Sequence, residues 1–188
     1  MNNCYLDAEA VITFFRMTGR KHIFITGSRG SGKSHLVNNM LKHMSDSFNL
    51  LQSHRTDTPQ VVIKSNLVAD NKEFVIGIPR TSGINPVSKG NNMTIIEDGF
   101  INCAIPAIDT HLDTTPERLF VIDELGYLES SCIPFQKAVE KLLDNSHVLA
   151  VIRKQSTEFL NRICNRKDVL VIDIDSTFET LSCIIMAS

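Results

Sequence analysis

Ile23-Phe24-Ile25-Thr26 runs straight into Gly27-Ser28-Arg29-Gly30-Ser31-Gly32-Lys33-Ser34, and His35-Leu36-Val37-Asn38-Asn39-Met40-Leu41-Lys42 continues with helical spacing. Strand, glycine-rich turn and helix, in that order, are the setting in which G-x-x-x-x-G-K-S works as a phosphate-binding loop. The glycines let the backbone turn tightly and come close to a ligand. The loop N–H groups then converge as an anion nest at a helix N-terminus. A bare pattern of this kind arises by accident on the order of once per hundred such chains, and correct flanks make it rarer. The stretch therefore predicts a P-loop in which residues 27–35 bind a nucleoside triphosphate. Lys33 would reach the β- and γ-phosphates, and the Ser34 hydroxyl would ligate Mg²⁺.

Outside the loop, composition sets the limits. A chain of 188 residues, 43% hydrophobic and 21% charged, reads as one ordinary globular domain over residues 1–188. A net charge of -2 carries no electrostatic footprint for nucleic acid or an anionic membrane, and a protein partner is left open and unidentified. The five cysteines, Cys4, Cys103, Cys132, Cys164 and Cys183, are scattered and odd in number with no C-x-x-C pair. Reduced thiols in a cytoplasmic protein are the preferred reading over a disulfide framework or a zinc site. The N-terminus lacks a basic flank followed by an apolar run, and no apolar stretch approaches a membrane span. The six histidines show no metal-ligand spacing and read as structural or surface residues.

Hydrophobic spacing predicts a helix over residues 7–17 ended by Gly19, a strand over 21–26 and a loop-following helix to about residue 44. The runs 61–63 and 74–78 predict an inserted β-hairpin, residues 79–92 a polar loop, and 93–96 a short strand. A helix is expected over 100–112, interrupted at Pro106. Further expectations are helices over 135–143, 157–165 and 177–186, and strands over 147–152 and 169–174. The alternation implies an α/β, three-layer fold with a mostly parallel central sheet and helices on both faces.

A second stretch bears on chemistry. Arg118-Leu119-Phe120-Val121-Ile122 is a continuous apolar strand expected to end at Asp123-Glu124, on the sheet edge where parallel sheets bind ligands. Asp123 has the form of a Walker B carboxylate that would hold Mg²⁺ opposite Ser34. Glu124 beside it could orient or deprotonate a water aimed at the γ-phosphate. The expected catalytic residues are thus Glu124 and Lys33, and the expected metal ligands Ser34 and Asp123. Glu129 is either a supporting acid or an exposed helix-start charge. Arg153, following strand 147–152, is a candidate transition-state cation, with a solvent-facing arginine the preferred reading; Arg29, Arg55 and Arg80 are unranked.

Together, Gly27 to Ser34 and Val121-Ile122-Asp123-Glu124-Leu125-Gly126-Tyr127-Leu128-Glu129 resemble the THEP1-type nucleoside-triphosphatase family, whose corresponding segment is V-[ID]-D-E-[IL]-G-x-[ML]-E. The resemblance continues through Phe135-Gln136-Lys137-Ala138-Val139 and Asn165-Arg166-Lys167-Asp168-Val169, with a weaker echo over Phe100 to Pro106. It implies a RecA-like P-loop enzyme that hydrolyses ATP, GTP and other nucleoside triphosphates to the diphosphate with Mg²⁺. The family's segment after the first helix has no clear counterpart in residues 50–64, and its lysine between Gly and Met stands as Tyr127 here. A nucleotide or small-molecule kinase is the enzymatic runner-up, weakened because residues 79–92 contain only Arg80 and Lys89 as cations. A slow nucleotide-dependent switch acting on a protein partner is the third alternative.

Overall fold

The computed structural model describes residues 7–44, 47–68, 72–80 and 93–176. The expected helix over 177–186 and most of the 79–92 loop lie outside the described residues. Within them, one eight-stranded sheet runs edge to edge as β5-β4-β3-β2-β6-β7-β1-β8. The strands are β1 (His22–Thr26), β2 (Phe48–Arg55), β3 (Val61–Ser65), β4 (Phe74–Pro79), β5 (Met93–Ile95), β6 (Leu119–Leu125), β7 (His147–Ile152) and β8 (Val169–Asp173). β2, β6, β7, β1 and β8 are mutually parallel, and β3, β4 and β5 extend the sheet antiparallel from β2. The expected hairpin is β3–β4, and the short strand is β5.

Side-chain alternation along the parallel strands feeds two cores. Phe24, Phe120, Ile122, Val148 and Ala150 point to one face, while Ile23, Ile25, Val121, Leu149 and Val151 point to the other. On the second face lie α1 (Ala8–Thr18) and α2 (Lys33–Met44), which supply Val11, Ile12, Leu36, Val37 and Met40. On the first lie α4 (Ile105–Thr114), α5 (Ile133–Asn145) and α6 (Glu158–Cys164), with α3 (Glu97–Gly99) leading into α4. Burial of each large side chain contributes about 1.5–3 kcal/mol, so a strand must be apolar on both sides to be held there. The three-layer expectation holds.

One expectation is corrected, and one strand is found that was not expected. The helical path does not break at Pro106 but runs from Glu97 to Thr114, through a π turn at Phe100–Ala104. The Ile105 N–H reaches back to the Phe100 carbonyl, which widens the coil where the proline has no N–H to give. Residues 48–55, which carry no recognisable strand signal, form β2 beside the Walker B strand, with Gln52 opposite Asp123.

Candidate functional site

β7 separates the P-loop strand β1 from β6, and four strand ends, those of β1, β2, β6 and β7, deliver residues to one cavity of about 700 Å³. From β1 and α2 come Gly27, Ser28, Arg29, Gly30, Lys33 and Ser34; from β6, Asp123 and Glu124; from β7, Arg153 and Lys154; from β2, Arg55. Ser31 and Gly32 complete the loop without joining that lining, and His35 is exposed on α2, with its Nε2 3.1 Å from the Asn39 amide nitrogen. The lining holds five cations, Arg29, Lys33, Arg55, Arg153 and Lys154, against two carboxylates, Asp123 and Glu124. A chain of net charge -2 therefore concentrates positive charge where a polyanion would sit.

The loop conformation follows from its glycines. Gly30 and Gly32 have φ of 78° and 93°, a region that strains side-chain-bearing residues. Lys33 Nζ donates to the Gly27 and Ser28 carbonyls at 2.8 and 2.7 Å, folded over the loop it belongs to. Asp175, just beyond β8, accepts from the Ser28 N–H at 2.8 Å and from Ser28 Oγ at 2.6 Å. These Ser28 bonds, with Lys154 next to them, hold the Asp175 carboxyl down at about 2. Asp175 is a loop anchor that the sequence reading missed; its only signal is an acid following an apolar strand.

β6 does not stop at the acidic pair. It continues to Leu125, and the pairing with β7 passes from Ile122↔Ala150 to Leu125↔Ile152, leaving Asp123 and Glu124 opposite Val151 alone. That is a β-bulge, which bends the strand and re-aims a side chain. Without it, alternation would send these neighbours to opposite faces; with it, both line the cavity. Glu124 takes φ 85° and is the one described non-glycine residue with positive φ. Such a backbone costs on the order of 1–3 kcal/mol and persists where the surroundings enforce it.

Each carboxylate is held by a neighbour. Gln52 Nε2 donates to Asp123 Oδ2 at 2.9 Å, a contact set up by the β2–β6 register. Arg153 grips Glu124 with two bonds, Nε to Oε1 at 2.7 Å and Nη2 to Oε2 at 3.1 Å. Arg153 is exposed, as the preferred reading has it, and is ion-paired to Glu124 as well. Glu129 is buried and accepts the Gly126 N–H at 2.9 Å, with Ser53 Oγ at 3.3 Å. Burial pushes its carboxyl above the usual carboxylate range. It is a supporting acid beneath the Walker B turn, not an exposed helix-start charge.

Comparison with known proteins agrees with this arrangement. A family model described as NTPase matches residues 22–179. The nucleoside-triphosphatase THEP1 of Thermotoga sp. (strain RQ2) is 26% identical over 155 residues, covering 81% of this chain and 86% of that one. THEP1 of Thermotoga maritima is 23% identical over 154 residues, with the same coverage of 81% and 86%. Among solved structures, THEP1 from Aquifex aeolicus superposes with a TM-score of 0.62 at 17% identity, covering 88% of this chain and 98% of that one. A human cancer-related nucleoside triphosphatase gives 0.58 at 18% identity, covering 89% and 99%; these two likenesses bear on the fold alone. With a family match over most of its length, the chain belongs to the NTPase family and is a THEP1-type P-loop nucleoside-triphosphatase.

Proposed function

We propose that the cavity takes the Mg²⁺ complex of ATP, GTP or another nucleoside triphosphate and releases the diphosphate and phosphate, with Glu124 as the general base. The observation that carries this reading is the bulge, which turns Glu124 into the same cavity as Lys33, Ser34 and Asp123. Loop N–H groups and Lys33 would bind the phosphate chain, with its γ end toward Asp123 and Glu124. Arg153 orients Glu124 and carries further N–H groups on the cavity side, so a γ-phosphoryl group entering there competes with Glu124 for it. That competition frees a carboxylate oxygen to accept a proton from the attacking water.

The donors suit Mg²⁺. Ser34 offers a hydroxyl and Asp123 a carboxylate, both hard oxygen ligands on one cavity. Among the described residues no group of three or more His, Cys, Asp or Glu forms an all-protein cage. Mg²⁺ is commonly held by one or two carboxylates together with substrate phosphates, and when bound it would neutralise charge on them. The cytoplasm is the proposed location. Cys103, Cys132 and Cys164 are free, with their thiols pushed up by burial, which suits a reducing compartment. No helix among the described residues is long and apolar enough to cross a membrane.

The test is phosphate release from ATP, GTP, CTP and UTP with Mg²⁺, comparing wild type with Glu124→Gln. The expected result is release from all four nucleotides and a loss of roughly 10²–10⁴-fold in the variant, with nucleotide binding retained. Unchanged release in the variant would remove Glu124 from the chemistry.

A further inference from the structure

Hydrolysis needs room for a single water at the γ-phosphoryl group, yet the far side of Glu124 and Arg153 opens into a second cavity of about 460 Å³. Arg55, Glu124 and Arg153 belong to both cavities, so the Glu124–Arg153 pair is their party wall. In the proposed complex the phosphate chain would lie on the P-loop side of that wall. An occupant of the other side would then approach the γ-phosphoryl group from the Glu124 side.

The second cavity is built for more than water. Val61 of β3, Pro79 of β4 and Met93 of β5 give it apolar walls, and Tyr127 and Leu128 of the Walker B turn close it. The antiparallel extension β3–β5 holds no residue of the P-loop cavity lining, so these walls are extra to hydrolysis. At the polar end lie Ser53 and the buried Glu129, 3.3 Å apart. Its arginines stand at the shared boundary. A volume of this size, with one apolar wall and several polar groups converging on it, is that of a small-molecule site.

Resting on the hydrolytic reading above, we propose that this cavity is a phosphoryl-acceptor pocket for a neutral, ring-bearing alcohol of nucleoside size. Its ring would lie among Tyr127, Met93 and Val61, and its hydroxyl would point to Glu124. In the transfer step the acceptor oxygen bonds to the γ-phosphorus while the bond from that phosphorus to the β,γ-bridging oxygen breaks. The hydroxyl proton passes to the Glu124 carboxylate, and the nucleoside diphosphate departs with the bonding pair. Water in the same position yields phosphate instead, so hydrolysis is the reaction of the empty pocket.

The experiment uses the full chain with Mg²⁺ and ATP labelled at the γ-phosphate, alone and with adenosine, guanosine, cytidine, uridine or thymidine. Labelled nucleoside monophosphate and labelled inorganic phosphate are then separated. The expected result is labelled monophosphate with at least one nucleoside and a matching fall in inorganic phosphate. Val61→Trp and Met93→Trp, made separately in case one fails to fold, should lose transfer while keeping acceptor-independent phosphate release. Label found only in inorganic phosphate with all five nucleosides would overturn the proposal, as would transfer that survives both substitutions. Loss of acceptor-independent release in the wild type would instead overturn the hydrolytic reading, and the pocket with it.

Discussion

The two ends of the parallel sheet use buried and polar residues in opposite ways. At the N-terminal ends of β2, β6 and β7, Asn49, His111, Thr115 and Ser146 form a closed chain. The Asn49 amide donates to His111 Nδ1 and to Thr115 Oγ1, each at 2.8 Å. His111 Nε2 is then the protonated nitrogen and donates to Ser146 Oγ at 2.6 Å, which donates to the Pro116 carbonyl at 2.8 Å. A serine and a histidine within hydrogen-bonding reach could suggest a nucleophile, but Ser146 is 1% exposed and His111 0%. The Asn49 amide, His111 Nε2 and the Ser146 hydroxyl are all committed, and no substrate can reach the serine or the histidine. At the C-terminal ends, Glu124 and Arg153 remain open to a cavity, and Glu124 sits on a strained backbone. Satisfied polar groups fasten the strands, whereas accessible ones under strain are free to exchange partners with a ligand.

That contrast can be broken from either side. The largest effect expected is at the open end: Lys33→Ala should cut phosphate release by about 10²–10³-fold, as loss of one fixed transition-state contact does. Its thermal midpoint should stay close to wild type, measured by calorimetry on the same sample. At the closed end, His111→Ala should do the reverse. It leaves a hole and orphans Asn49 and Ser146, for a stability loss of about 2–4 kcal/mol in urea unfolding. The turnover of the folded fraction should be unchanged.

His22, the first residue of β1, adds a pH dependence at the closed end. Burial outweighs the neighbouring Asp168 and holds its pKa at about 4 instead of 6.5. The folded state therefore binds fewer protons than the unfolded one between these values. Stability is complete above pH 6.5 and falls as the pH drops toward 4, by on the order of 3 kcal/mol for full titration. Urea midpoints measured from pH 8 to pH 4.5 should show the fall begin near 6.5; a flat profile would mean that His22 titrates normally. The smallest effect is at Glu129. Because burial favours its neutral form, Glu129→Gln should change stability and turnover by less than about 1 kcal/mol, which parallel unfolding and kinetics would check.

The parallel strands were legible because β1, β6, β7 and β8 are apolar runs that only a doubly covered sheet accommodates. The P-loop was legible because its glycines have no substitute at positive φ. β2 was not, since its buried Asn49 breaks the apolar alternation, and that asparagine makes sense only beside His111, 62 residues away. The bulge left no local mark either. Asp123-Glu124 reads as a strand end, and its re-aiming depends on β7 pairing across Val151. Gln52 and Asp175 were missed for the same reason: each acts through a partner that the sheet brings near.

If the bulge holds Glu124 strained for the sake of its carboxylate, Glu124→Gly separates the strain from the chemistry. Glycine adopts φ 85° without strain but costs unfolded-chain entropy, so the net expectation is a gain of about 1 kcal/mol in urea unfolding. Phosphate release should fall by roughly 10²–10⁴-fold in the same protein. The expected outcome is stability up and turnover down. A variant that loses stability, or one that turns over at the wild-type rate, would contradict it.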